Sequence, residues 1–203
     1  MNFGNIIKYI SWIIMVMVFM NGCSRGHDIE SENKKIKQKL LTKIKKEIKL
    51  STEEINNLVG ILVWEGNYDE GIKILETLKD SEKYLQDRYT IYFALAVLYA
   101  EKLKDKPNIR NQQNIVKKVR RYLSLGFKFT PKIILAYYLR GKVYASIGCK
   151  NNAIKDLNVA ISKAKEKEII YLGEGIYLER NKFIKFMQKE IERIQKIKEE
   201  CIY

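Results

Sequence analysis

Few residues in this chain could do chemistry. It has one histidine, His27, and three cysteines, Cys23, Cys149 and Cys201. His27 lies in the short polar stretch Ser24-Arg25-Gly26-His27-Asp28, which reads as a tether. With no other histidine, a Ser-His-Asp triad and a histidine-based zinc site are both excluded. Cys149 and Cys201 lack the short spacing of metal ligands. Gly173-Glu174-Gly175 is too short to cradle a phosphate. The acid pairs Glu53/Glu54 and Asp69/Glu70 have the chemistry that glycan hydrolysis uses. Each stands at an expected helix start, however, where carboxylates favour the helix dipole. The expectation is a non-enzyme with no metal and no cofactor.

Cys23 is the exception. Lys8 precedes an apolar run from Tyr9 to Met20, followed by Asn21-Gly22-Cys23. A charged start, a short apolar core and a small residue before the cut describe a secretory signal. The Gly22-Cys23 junction resembles the lipobox of bacterial lipoproteins, although that family favours leucine and a small residue where Met20 and Asn21 stand. The resemblance implies that residues 1–22 are removed, that Cys23 becomes the first mature residue and carries a lipid, and that residues 23–33 form a flexible tether. It places the protein in a bacterial cell envelope, at the outer membrane or cell surface ahead of the inner membrane. An uncleaved anchor is the alternative, but the apolar run is short of the roughly 20 residues that span a bilayer. Export is compatible with a disulfide between Cys149 and Cys201, held here as the lesser alternative to free thiols.

The elements behind these residues read as helices. Ile36, Leu40, Ile44 and Ile48 recur every four residues, and Ile184, Met187, Ile191, Ile194 and Ile197 recur at helical spacings of three and four. Ser51 with Glu54 forms a capping-box start. Ile91 to Ala100 carries no charge and reads as a buried helix. Asn114 to Leu125 has Ile115, Val119 and Tyr122 on one face, and loops are expected around Pro107 and from Gly126 to Pro131. No alternating strand pattern stands out.

The stretch from Ala136 to Ile161 closely resembles one tetratricopeptide repeat (TPR), a helix-turn-helix unit of about 34 residues. The aromatic of the first helix falls on Tyr137, the close-packing glycine on Gly141, the tyrosine on Tyr144 and the turn glycine on Gly148. The small residues of the second helix fall on Ala153 and Ala160, with Leu157 between them. Arg140 departs from the family, which prefers leucine there. Weaker copies surround Gly66 (Trp64 to Ile72) and Ala96 and Tyr99. The implied fold is all-α: a right-handed α-α superhelix, or TPR-like solenoid, of about three repeats (52–85, 89–130 and 134–167). The domain spans 34–203, with a first helix as one cap and residues 168–200 as the other, built as one helix or two around Gly173 and Gly175.

Such a fold displays a surface. The resemblance implies a concave wall of first helices, whose exposed positions would be Asn56, Trp64, Phe93, Val97, Tyr138 and Lys142, and a protein or peptide partner. The Lys/Asn clamp that some members use for C-terminal carboxylates is not reproduced. The net charge of +14 would suggest nucleic acid in a cytosolic protein, but the export signal argues against it and no aromatic-basic motif appears. Two basic regions stand out: eight lysines from Lys34 to Lys49, and Lys117, Lys118, Arg120, Arg121, Lys128 and Lys132. The first, beside a lipid anchor, would add a second membrane contact. The leading expectation is a lipid-anchored interaction scaffold. The alternatives are a surface lipoprotein that binds host molecules and an accessory factor of a cell-wall enzyme.

Overall fold

A computed structural model describes residues 27–105, 112–129, 134–173 and 176–196. Cys23, the expected signal segment (residues 1–22), Pro107, Cys201 and Ile197 lie outside the described residues. The described elements are α1 (His27–Lys45), α2 (Thr52–Trp64), α3 (Tyr68–Leu78), a 3-10 turn (Glu82–Tyr84), α4 (Arg88–Asp105), α5 (Gln112–Phe129), α6 (Ile134–Ser146), α7 (Lys150–Lys165), strands β1 (Ile169–Gly173) and β2 (Ile176–Glu179), and α8 (Arg180–Gln195). The chain divides into two compact units, Met1–Leu98 and Tyr99–Tyr203, with the boundary inside α4.

In the first unit, α1 begins at His27, so residues 27–33 are helical where a flexible tether was expected. Glu30 and Glu32 near its start suit the positive end of the helix. The helix stops at Lys45 because Glu47 adopts φ +55°, and Ile48 donates to the Lys43 carbonyl at 2.9 Å. Ile48 therefore falls off the apolar stripe and is exposed, while Leu40 is buried. The α2 helix starts on a complete capping box: the Ser51 hydroxyl accepts from the Glu54 amide and the Glu54 carboxylate accepts from the Ser51 amide, both at 3.1 Å. Just before it, the Leu50 amide donates to the buried Tyr84 hydroxyl at 2.9 Å, which ties the 3-10 turn to the α1–α2 link.

Two helical hairpins, α2–α3 and α6–α7, close on the same turn. Gly66 has φ +69° and Gly148 φ +75°, a backbone that favours glycine. After Gly66, Asn67 donates to the Leu62 carbonyl at 2.8 Å and Gly66 to the Val63 carbonyl at 3.1 Å. After Gly148, Cys149 donates to Tyr144 at 2.9 Å and Gly148 to Ala145 at 3.2 Å. This paired pattern is the Schellman motif, which satisfies the last carbonyls of the helix. The helical glycines mark close approaches. A Cβ at Gly141 would sit 3.1 Å from the Ala153 carbonyl oxygen and 3.3 Å from Leu157, and one at Gly71 would sit 2.8 Å from Leu98. Ala96, Ala153 and Ala160 are fully buried and Tyr99 nearly so, whereas Tyr144 is half-buried.

Three further expectations are corrected. The α5 helix continues through Phe129, so Gly126–Phe129 is helix rather than loop. Residues 169–173 and 176–179 form an antiparallel pair, with Ile170 opposite Leu178 and Tyr171 opposite Tyr177, where a helical cap was expected. Ile169-Ile170-Tyr171 and Ile176-Tyr177 are β-branched and aromatic, which suits a pleated pair better than a helix. The buried stripe of α8 is Phe183, Met187, Glu190 and Ile194, with Ile184 and Ile191 half-buried beside it. A carboxylate occupies that stripe because a lysine of α6 meets it there.

Candidate partner-binding surface

The six positions expected on an open wall have different surroundings. Trp64, at the end of α2, is 39% exposed. Asn56, on the same helix, and Val97, on α4, are half-buried. Phe93 is 6% and Tyr138 4% exposed, so neither is a surface hot spot. Tyr138 is covered from α8: its ring lies 6.0 Å from that of Phe186, tilted by 57°. Burial, with the nearby Glu190 carboxylate adding to it, pushes the Tyr138 phenol well above its usual pKa. Lys142, one turn on, forms an ion pair with Glu190 of α8, and only 17% of its side chain is exposed. The terminal helix thus occupies the face of α6 that was expected to receive a partner. Solvating a helix end-face costs apolar contact, and a packed amphipathic cap recovers it.

The α1 helix is bound to the first hairpin through lysines. Lys37 reaches Glu65 at 2.6 Å and Glu70 at 2.8 Å, spanning the α2–α3 turn. Burial alone would lower its pKa, but the bonds from the two carboxylates outweigh that and raise it. Lys43 pairs with Glu54, and Lys49 with Asp87 at 2.7 Å. Burial would raise the Glu54 carboxyl, yet the Lys43 ammonium and the Ser51 amide hold it below the ordinary carboxylate range. Three lysines of the first basic region are therefore committed to internal carboxylates.

Sequence reasoning missed the network around Arg140. Its guanidinium donates from Nε and Nη2 to the two carboxylate oxygens of Asp156, both at 2.7 Å, and so joins α6 to α7. Its charged carbon lies 3.8 Å above the Phe127 ring of α5, and Phe127 meets Tyr137 edge-on at 4.8 Å. Asp156 is 4% exposed. The signal was present in sequence as an arginine where leucine was expected, together with an aspartate on the second helix.

Cys149, the residue after Gly148, is disulfide-bonded, so it is not a free thiol. Its partner lies outside the described residues. Beside it, Lys150 donates to the Gln195 carbonyl near the end of α8 at 2.7 Å. Among the described residues no group of three or more His, Cys, Asp or Glu is placed to hold a metal ion, and no helix is long and apolar enough to cross a membrane. No family model, curated protein or solved structure matches the chain.

Proposed function

We propose that the chain is a lipid-anchored scaffold of a bacterial envelope, built from tetratricopeptide-type repeats stacked as a solenoid, and that it binds another protein without catalysis. The observation that carries the repeat reading is the shared Schellman turn of α2–α3 and α6–α7, with glycine at φ +69° and +75°. The close approach at Gly141 adds to it. Because α8 covers Tyr138 and Lys142, the partner surface in this reading contracts to α2, around Asn56 and the half-exposed Trp64. An exposed tryptophan on a rigid helix is a strong anchor, and its truncation in an interface often costs about 2 kcal/mol or more.

Anchoring makes a demand on the cysteines. Only Cys23 and Cys201 are available as partners of Cys149. Lipid on Cys23 requires that the partner be Cys201. The anchor is tested by labelling cells with a fatty-acid analogue: wild type should incorporate it and Cys23→Ser should not. Persisting label in the variant would remove the anchor from the proposal. The scaffold is tested by cross-linking in envelope extracts with wild type and Trp64→Ala side by side. A partner enriched equally by both would remove α2 as the binding surface.

A further inference from the structure

The net charge of this protein is concentrated in one quarter of the chain. The 50 residues from Lys106 to Lys155 contain 12 Lys and Arg and no Asp or Glu, leaving 26 basic against 24 acidic residues everywhere else. Within that segment, Arg140 and Lys142 are neutralised by Asp156 and Glu190. What remains is centred on α5, which carries five cations and no acid. Lys117, Arg121, Ser124 and Lys128 are all exposed. At 100° per residue they fall on one line along the helix, about 16 Å from end to end. Among the described residues Lys117, Arg121 and Lys128 have no ion pair. Phe129, the last residue of α5, is 52% exposed and lies about 100° round the helix from Lys128, on the flank of that line.

We infer that this face of α5 is a docking surface for anionic phospholipid headgroups. A straight row of cations on a helix whose other side is buried in the protein presents a flat contact. Lysine and arginine near an anionic bilayer each add attraction that decays within a Debye length. The row suits the plane of charge on a bilayer surface, and the half-exposed Phe129 on its flank favours a bilayer over other polyanions. A membrane interface takes up an aromatic ring beside the cations, whereas duplex phosphates engage only the cations. The lysine-rich α1 is the weaker candidate, because Lys37 and Lys43 already serve carboxylates within the fold and Glu30 and Glu32 share the helix. The inference rests on α5 and does not need lipid on Cys23.

The test is co-flotation of the full chain with phosphatidylcholine vesicles, with and without phosphatidylglycerol, at low salt. The quotient of the two partition constants cancels any anchor, which contributes equally to both vesicle types. Each cation at the surface is worth roughly fivefold in partition, so Lys117→Gln/Arg121→Gln/Lys128→Gln should lower the quotient by about 100-fold. Lys34→Gln/Lys35→Gln/Lys39→Gln on α1 removes the same charge and should change it by less than about fivefold. Should the triple variant lose helicity, Arg121→Gln alone, at mid-line, should still cost about fivefold. An unchanged quotient in the α5 variants overturns the inference, as does an equal loss in the α1 variant. Retention on duplex DNA without any preference for phosphatidylglycerol also overturns it and gives the stripe to nucleic acid.

Discussion

Replacing Arg140 by the leucine that tetratricopeptide repeats favour is expected to destabilise this protein. The guanidinium makes two bonds of 2.7 Å to Asp156, and that carboxylate is nearly buried, with 6% of its side chain exposed against 22% for Arg140. The bonds to Asp156 hold the guanidinium pKa above its already high ordinary value, so the arginine is charged at every working pH. Removing one partner of a buried pair costs about 3–5 kcal/mol. Water at the arginine end lowers that to about 2–4 kcal/mol. Losing the cation above Phe127 adds about 1 kcal/mol, and leucine returns a similar amount of apolar contact. The net loss is about 3 kcal/mol, which for a chain of this size lowers Tm by about 6–12 °C. Arg140→Leu/Asp156→Leu exchanges the pair for apolar volume and should come back to within about 1 kcal/mol of wild type. Urea unfolding of wild type, both single variants and the double variant gives the coupling energy. The reasoning fails if Arg140→Leu keeps or raises the Tm, or if the double variant loses the sum of the single losses.

Four further outcomes are expected. Gly141→Leu should overpack the α6–α7 contact, where a Cβ already falls 3.1 Å from the Ala153 oxygen, and cost about 1–3 kcal/mol or more in urea unfolding. Glu47→Gly should stabilise by about 1 kcal/mol, because it relieves a side chain held at φ +55°; a fall in Tm would show that the Lys83 contact to Glu47 matters more. The depressed pKa of Glu54 contributes stability that is present above the ordinary carboxyl value, about pH 4, and lost as pH falls through the folded value. Glu54→Gln should therefore lower Tm at neutral pH and flatten its acid-side decline. Peptide mapping without reduction should find Cys149 cross-linked to Cys201; a link to Cys23 would refute lipidation there.

The features legible in sequence are those whose partners lie within a few residues. Ser51 and Glu54 meet across one helical turn, and Gly66 and Gly148 end their helices by bonds reaching back five residues. Apolar spacing marked the helical segments because a helix repeats its faces at a fixed angle. The β1–β2 pair was also local, and its β-branched and aromatic residues were the missed signal. Tertiary structure decided what covers each face. Periodicity shows that α6 has a side with Tyr138 and Lys142; it does not show that Phe186 and Glu190, more than 40 residues on, close over it. The same holds for the charges. Composition gave an excess of cations, and Lys37, Lys43 and Lys142 look no different in sequence from Lys117 and Arg121. Packing brought carboxylates to the first three and left the last two on an exposed helix face. A long side chain finds its counter-ion through space, and only the fold sets those distances.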